Sequence, residues 1–578
     1  MRRLCIPFMF VLLLTAAAGA DEASWEQLDR LEQQQREVEA DLRQVEDELQ
    51  ILREAVPSAD SEQLAAARNA LDEAEQSLEK ARAAAGLDEL REKLRTAQAA
   101  RDEKATELIV AAPTGKQAVQ RYQQMDQRLA ELESRIDNLD DKEVSELARL
   151  RREHRHWGRQ LYDVRRAVWE RREVLPLYRQ ADSAYKAYGS ARKKSKEYQA
   201  VERTVRDARK ALGQARGKIE PDGKRAETRL NRKTELERKR DELNKQIASV
   251  RKSLFDGERN ITITVEMPPK KGKPRKPERV TLWIPPNCDN IRGVIVAHPM
   301  IKGMATSRTV RRAAAQAGLA TMVMPNYSFK GEETVKRMDA IFEEMAAKSG
   351  HSELKGAAVI PAGLSASVLA ARNVGYAAPE RTIGIVHVAG GNMHHNIVNP
   401  DQSLSGVPFI AMNGEFEWCG PEGGIRPEYG RQTQWVMIRE QLLRRRRHDP
   451  QHLMSLVVVP GRDHGAWDVD LAALFVRKAA EYRAPKEKRD GSKPAKCRTI
   501  KAEDGWLTDA DLDHPEHNPA PYDKYTGDKT EAFWHFDGEM AKAVREYHKG
   551  RFLLPDPTKQ HPVPESWPKD RGLNYLKK

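Results

Sequence analysis

The residues able to do chemistry in this chain are a serine, two carboxylates and a histidine, each on a turn of small residues. Ser365 lies in Pro361-Ala362-Gly363-Leu364-Ser365-Ala366-Ser367, where an apolar run gives way to a helical pattern. Only small neighbours let a backbone bend that sharply, and the bend pushes the serine outward. Gly363 to Ser367 matches G-x-S-x-G except that Ser367 stands in place of the last glycine. The same serine could instead be the N-cap of a buried helix. Further on come Glu415 and Glu417 in Asn413-Gly414-Glu415-Phe416-Glu417, and His464 in Pro460-Gly461-Arg462-Asp463-His464-Gly465-Ala466-Trp467. A serine hydroxyl is a weak nucleophile until a base takes its proton, and a carboxylate can fix the tautomer and orientation of that base. The chain order Ser, Glu, His therefore points to hydrolysis through a covalent intermediate.

Strands must position these turns. After Gly257, Ile261, Ile263 and Val265 alternate with threonines, and a Lys/Pro-rich loop, Pro268 to Pro277, leads to a second strand over Val280–Ile284, predicting an antiparallel pair. Apolar runs at Gly293–Ala297, Ala320–Met324, Ala357–Ile360, Ile383–Val388, Pro408–Met412 and Leu456–Val459 then alternate with helical patterns. The helices are expected over Thr309–Ala317, Glu332–Ala347, Ala366–Tyr376, Tyr429–Arg446 and Asp468–Tyr482. Continuous apolar strands alternating with helices predict a parallel sheet covered on both faces, with ligands beyond the carboxyl ends of the strands. Ser365, Glu417 and His464 each follow such an end.

With these motifs, residues 258–482 resemble the α/β-hydrolase superfamily in its secreted, esterase-like form, with eight strands in the expected sequence. Carried over to this chain, the resemblance implies Ser365 as nucleophile, His464 as general base and Glu417 as the acid, three residues beyond Gly414. Glu415 and Asp463 are the rival acids. It also implies an oxyanion held by two backbone N–H groups: one from Ala366, the other from the loop His298-Pro299-Met300. Pro299 has no N–H, which leaves Met300. Pro299 and Ser367 are the departures from the superfamily pattern. The expected activity is cleavage of a small-molecule or polymeric carboxylic ester through an acyl-enzyme, with no cofactor and no metal. The competing expectation is a non-catalytic scaffold or binding protein of the cell envelope that keeps the fold as an interaction module.

Other polar residues are read more plainly. His394-His395 falls in the short insert Gly390–Gly406, where the superfamily places its cap, and no third ligand stands at a metal-binding spacing. His351 is expected to be structural, and Arg444–Arg447 a basic helix end. Asp509, Asp511 and Asp513 alternate like a calcium loop, but position six is His514 and position twelve Ala520, so they are read as turn residues.

The chain of 578 residues is too long for one domain, and 39% hydrophobic with 32% charged excludes a polytopic membrane protein. Met1-Arg2-Arg3, the apolar run Ile6–Ala18 and the small residues Ala18-Gly19-Ala20 make residues 1–20 an expected signal peptide, too short for a lasting membrane span. The mature protein is then exported, to the periplasm, cell envelope or exterior. Cys288, Cys419 and Cys497 remain after the signal and allow at most one disulfide.

Residues 21–256 read as a coiled-coil helical arm. Only Trp25, Trp157 and Trp169 of the ten tryptophans lie before residue 256, so this stretch is poor in core-forming residues. Apolar seams run from Leu28 to Val56, with Gln35 as a polar occupant, from Met125 to Leu139, from Val144 to Val168, and from Leu236 to Leu254. Breaks are expected at Pro57, Gly86, Pro113-Thr114-Gly115, Pro176 and Pro221-Asp222-Gly223. Residues 21–110 hold 24 acids and 12 bases, a net of −12; residues 181–240 hold 9 acids and 19 bases, a net of +10. Opposite ends of the arm should therefore pair within the chain as an antiparallel hairpin or small bundle, burying Leu42, Leu49, Leu132, Ile136, Leu243 and Ile247; a homodimeric coiled coil is the alternative. A protein partner could bind this arm, whereas nucleic acid is not expected. Residues 483–500 read as a linker. Residues 501–578 read as an aromatic-rich extension packing on the hydrolase domain, in which Phe533–Asp537 opens a helix ending near His548-Lys549-Gly550.

Overall fold

The computed structural model describes residues 6–55, 62–168, 174–217, 224–255, 257–267, 274–325, 331–390, 404–417 and 434–554. The expected breaks at Pro57 and Pro221-Asp222-Gly223, together with His394, His395 and Cys419, lie outside the described residues, as do Met1-Arg2-Arg3 of the expected signal. Contacts divide the chain into two compact units. One takes in Met1–Glu107, Gln117–Tyr162 and Glu173–Asp256; the other takes in Gly257–Lys578 with Leu108–Lys116 and Asp163–Arg172.

The first unit is built from helices α1 (Ile6–Glu54), α2 (Glu62–Ala84), α3 (Leu87–Val110), α4 (Pro113–Glu133), α5 (Asp141–Val168), α6 (Leu175–Lys194), α7 (Lys196–Gly217) and α8 (Lys224–Leu254), α3 to α5 contributing short stretches to the second unit. Helices α1 and α8 run antiparallel. Val38, Leu42, Val45 and Leu49 pack against Leu236 and Leu243, and Trp25 and Leu28 against Ile247. Across the seam the polar occupant Gln35 donates to Asn244 at 2.7 Å. Arg251–Glu32 at 2.7 Å, Lys233–Glu46 at 3.2 Å and Arg229–Glu48 at 2.8 Å follow the same antiparallel order. Helix α2 pairs with α7, where Arg209 meets Glu75 at 2.7 Å. Of the seam residues expected to be buried, all are, except that Ile136 is only partly so. It sits in a short 3₁₀ turn, because α4 ends at Glu133, before the Met125–Leu139 seam does. Asp140 and Glu143 cap α5 reciprocally: the Glu143 N–H donates to Asp140 at 2.8 Å and the Asp140 N–H to Glu143 at 3.0 Å. Helices α6 and α7 are also separated by a single non-helical residue, Ser195, whose hydroxyl accepts the Tyr198 N–H at 3.2 Å.

In the second unit, strands β1 (Arg259–Val265), β2 (Glu278–Ile284), β3 (Gly293–Ala297), β4 (Leu319–Val323), β5 (Val359–Leu364), β6 (Ile385–Val388), β7 (Phe409–Gly414) and β8 (Met454–Val459) form one sheet among the described residues. Their order is β1-β2-β4-β3-β5-β6-β7-β8, with β2 antiparallel to both neighbours and every other pair parallel. That is the α/β-hydrolase sheet, preceded here by a long helical region. Helices α9 (Gly303–Thr306), α10 (Arg308–Gln316), α11 (Gly331–Ser349), α12 (Val368–Ala377), α13 (Gln434–His448) and α14 (Val469–Arg483) cover it. Met338, Phe342 and Met345 of α11 join Val294, Val296 and Val359 in one core, while Trp435, Val436 and Leu442 of α13 join Phe409, Leu456 and Val458 in another. Helices α10 and α14 pack together elsewhere in the unit.

The aromatic run expected to open a helix is instead a strand. Strands β9 (Trp506–Asp509), β10 (Ala520–Pro521) and β11 (Ala532–His535) form a small antiparallel sheet, and the helix α15 (Gly538–His548) starts only after Asp537, whose carboxylate accepts the Met540 N–H at 3.0 Å. All four residues Ala532–His535 are buried, so they need a two-sided strand rather than a one-sided helix face. Residues 483–500 are pinned rather than free: the Arg489 guanidinium donates to the carbonyls of Glu353 and Lys355, and the Ala495 N–H to Gly356. Cys288 and Cys497 are free thiols.

Candidate active site

The turn after β5 places Ser365 in the left-handed region, φ +56°, at the start of a 3₁₀ turn, Ser365–Ser367, that runs into α12. Such a conformation strains any residue with a Cβ and is held only where the surroundings enforce it. Two neighbours do so. A Cβ at Gly363 would fall 2.4 Å from the Ser367 carbonyl oxygen, so this close approach requires glycine. The Ser367 hydroxyl accepts the Leu364 N–H at 2.8 Å and donates to the Leu364 carbonyl at 2.7 Å, closing the turn on itself. Ser367 thus does by hydrogen bonding what a second glycine does by absence, which accounts for the departure at this position. Ser365 is half-buried and Ala366 exposed. Among the described residues, the Ser365 hydroxyl makes no hydrogen bond.

The acid-bearing turn after β7 and the histidine-bearing turn after β8 are joined directly. Gly414 pairs with Val459 in the sheet register, the Glu415 N–H donates to Val459 at 3.0 Å, and the Phe416 N–H to Arg462 at 2.8 Å. A Cβ at Gly414 would lie 2.5 Å from the carbonyl oxygens of both Arg462 and Asp463. Across this seam His464 Nδ1 and Glu417 Oε1 are 2.7 Å apart. Glu417 is fully buried, and its other oxygen accepts from Asn413 Nδ2 at 3.0 Å and the Gly414 N–H at 3.3 Å. The Glu417 carboxylate raises the His464 pKa, burial partly opposing it. Half of the histidine side chain is exposed, leaving one edge toward solvent.

Neither rival acid faces the imidazole. Asp463 accepts the backbone N–H of His464 at 2.7 Å. Glu415 is turned away, accepting the N–H groups of Gly461 at 2.8 Å and of Leu553 and Leu554, each at 2.7 Å. Burial lifts the Glu415 carboxyl to about 7 against the lowering effect of those donors.

On the loop after β3, Met300 is exposed, but its N–H donates to His298 Nδ1 at 3.2 Å. The expected oxyanion donor is therefore engaged, and would have to leave that nitrogen to reach a substrate. His351, expected to be structural, pairs with the buried Glu353 at 2.7 Å and accepts from Arg259. Asp509 accepts the N–H groups of Asp511, Glu516 and His517, as turn residues do. Among the described residues no group of three or more His, Cys, Asp or Glu is arranged to hold a metal ion, and no helix is long and apolar enough to cross a membrane. His387 is fully buried on β6, with its pKa lowered to about 3 by burial. A lone histidine in an apolar strand carries no spacing signal.

No protein-family model and no curated protein matches the chain. Similar solved structures include an esterase from Rhizomucor miehei, with 14% identity over 40% of this chain and 88% of that one, TM-score 0.25. Another is an esterase from Pyrobaculum calidifontis, with 16% identity over 38% and 86%, TM-score 0.25. A bacterial heroin esterase has 16% identity over 39% and 84%, TM-score 0.24. At these identities and TM-scores the fold rests on the strand order alone.

Proposed function

We propose that this chain is an exported serine hydrolase that cleaves carboxylic esters, with Ser365, His464 and Glu417 as its triad. The observation that carries the reading is the buried Glu417 carboxylate bonded to His464 on the turn after β8, in one sheet with the left-handed Ser365 turn after β5. In the proposed reaction the free imidazole nitrogen of His464 takes the Ser365 proton as the oxygen attacks the ester carbonyl. The imidazolium, stabilised by Glu417, then protonates the departing alcohol. Water, deprotonated by the same imidazole, releases the acid and restores the serine. The Ala366 N–H, and the Met300 N–H once released from His298, would hold the oxyanion. Export is proposed on the basic and apolar start of the chain.

A fluorophosphonate probe on the mature protein tests this. Labelling that disappears in Ser365→Ala, together with loss of p-nitrophenyl ester hydrolysis, supports the hydrolase. A second reading, a scaffold that keeps the fold, is favoured by the engaged Met300 N–H. Absence of labelling, or labelling that persists in Ser365→Ala, would decide for it.

A further inference from the structure

The C-terminal segment reaches the back of the candidate active site through one carboxyl group. Glu415 lies two residues before Glu417, is almost fully buried, and binds two separate pieces of chain at once. Its Oε2 accepts the N–H of Gly461, three residues before His464; its Oε1 accepts the N–H groups of both Leu553 and Leu554. Gly461 and Leu553 also touch: a Cβ on Gly461 would meet Leu553 Cδ1 at 3.4 Å. The segment is anchored just upstream, where Phe552 is buried against Trp435 with ring centroids 5.7 Å apart.

Packing alone would favour an apolar side chain here, since a buried carboxyl group carries a desolvation cost. What an apolar residue cannot do is accept N–H groups from two segments. Each buried N–H left without an acceptor costs about 1–3 kcal/mol. Glutamate satisfies three at once, and one of them belongs to the turn that carries His464.

We propose that Glu415 is a positioning residue for the reaction, and that through it the Leu553–Leu554 segment holds the His464 turn in register with Glu417. The C-terminal extension is then part of the catalytic apparatus although it supplies no group to the substrate. This rests on the triad reading above for its consequence in catalysis, but its structural claim, that Glu415 fixes the His464–Glu417 pair, is measurable without activity.

Two full-length variants separate the links. Glu415→Gln can keep an oxygen toward Leu553 and Leu554 but turns an amide donor toward the Gly461 N–H, breaking only the link to the histidine turn. Leu553→Pro removes one donor of the segment and leaves Glu415 intact, so it carries the test should the first variant not fold. The readouts are the His464 pKa, from imidazole NMR titration, and the rate of fluorophosphonate labelling at Ser365. The expected result is a His464 pKa that falls back toward the ordinary histidine value in both variants, with labelling slowed roughly tenfold or more, the scale on which sub-ångström misplacement acts. A wild-type His464 titration in the folded variants overturns the proposal, even if melting temperature drops. If the wild type does not label at all while the His464 pKa still moves, the positioning claim stands and the hydrolase reading falls. If labelling is lost only in Ser365→Ala and both Glu415→Gln and Leu553→Pro label and titrate as wild type, the hydrolase stands and the positioning claim falls.

Discussion

A non-glycine residue held at φ +56° costs of order 1–3 kcal/mol, and at Ser365 the surrounding turn holds it there. The Ser367 hydroxyl is the main restraint, since it alone satisfies both polar groups of Leu364 from within the turn. Ser367→Ala should therefore lower stability by about 1 kcal/mol, the net worth of a hydrogen bond to half-buried backbone groups, read from the urea unfolding midpoint. An unchanged midpoint would mean that another group takes over. At His464 the decisive neighbour is Glu417, which raises the imidazole pKa by stabilising its cationic form. Only the neutral imidazole can act as base, so activity should fall as pH drops through that raised value. Glu417→Gln removes the charge, so the His464 pKa falls and the acidic limb of the rate profile moves to lower pH. The plateau rate should drop roughly a thousandfold or more through loss of the correct tautomer. A limb that stays in place would assign it to a different group.

Where two strand ends meet, backbone contact leaves no room for a side chain. A methyl at Gly414 would press on the carbonyls of Arg462 and Asp463, so Gly414→Ala should push the histidine turn away from the acid turn. The expected cost is about 1–3 kcal/mol, with esterase activity falling further than stability does. A variant with wild-type activity would show that the two turns are not coupled. In the helical unit, Arg229 and Glu48 form a largely buried ion pair. Breaking one partner, as in Arg229→Leu, should destabilise the unit by about 3–5 kcal/mol, and adding Glu48→Leu should recover much of that, because the loss comes from an unpaired buried charge. Circular dichroism during thermal unfolding would show both steps; an additive pair of losses would refute it. These elements also divide by how much of them the sequence displayed. The sheet was legible because its strands are continuous apolar runs bounded by turns, and the triad candidates because each stands just past one. The acid was legible only through the resemblance: Glu415 and Glu417 are alike in type and position, and only packing turns one toward His464 and the other toward Leu553. The Asp140–Glu143 capping box lies in the gap between the seam that ends at Leu139 and the one that starts at Val144. Phe533–His535 read as a helix because aromatic density says that a segment is buried, not which period buries it. The Met300 N–H bond to His298 depends on a side-chain rotamer, which no spacing encodes.

The second unit treats the outer edge of its large sheet as a site to be closed. Strand β8 ends the sheet order, and an unpaired edge invites association. Here His548 Nε2 accepts the Val458 N–H at 3.0 Å, while His535 bridges the hydroxyls of Ser455 at 3.2 Å and Thr508 at 2.8 Å. Both histidines are fully buried, and His548 must be neutral at Nε2 to accept the Val458 N–H; burial lowers each pKa to about 3, and that of His387 likewise. The consequence for stability has a definite sign. Below the unfolded-state value of about 6.5 the unfolded chain takes up protons that the folded chain refuses, so stability is present above pH 6.5 and lost as pH falls toward 3, by roughly 1.4 kcal/mol per pH unit for each such histidine. Glu415 acts in the opposite sense. Its folded pKa near 7 lies above the unfolded value, so its contribution is present at low pH and fades as pH rises through 7. His452, lowered to about 4 by burial, adds to the three histidines, and Glu531, raised by burial, adds to Glu415; four histidines against two carboxyls leave stability rising with pH between 4.5 and 6.5. His548→Gln keeps an acceptor for the Val458 N–H but cannot titrate. In urea titrations across that window the variant should therefore show a shallower fall toward acid than the wild type, by about one proton's worth of slope. Equal slopes would mean that His548 is protonated in the folded protein, and the edge of β8 would then be closed by some group other than a neutral imidazole.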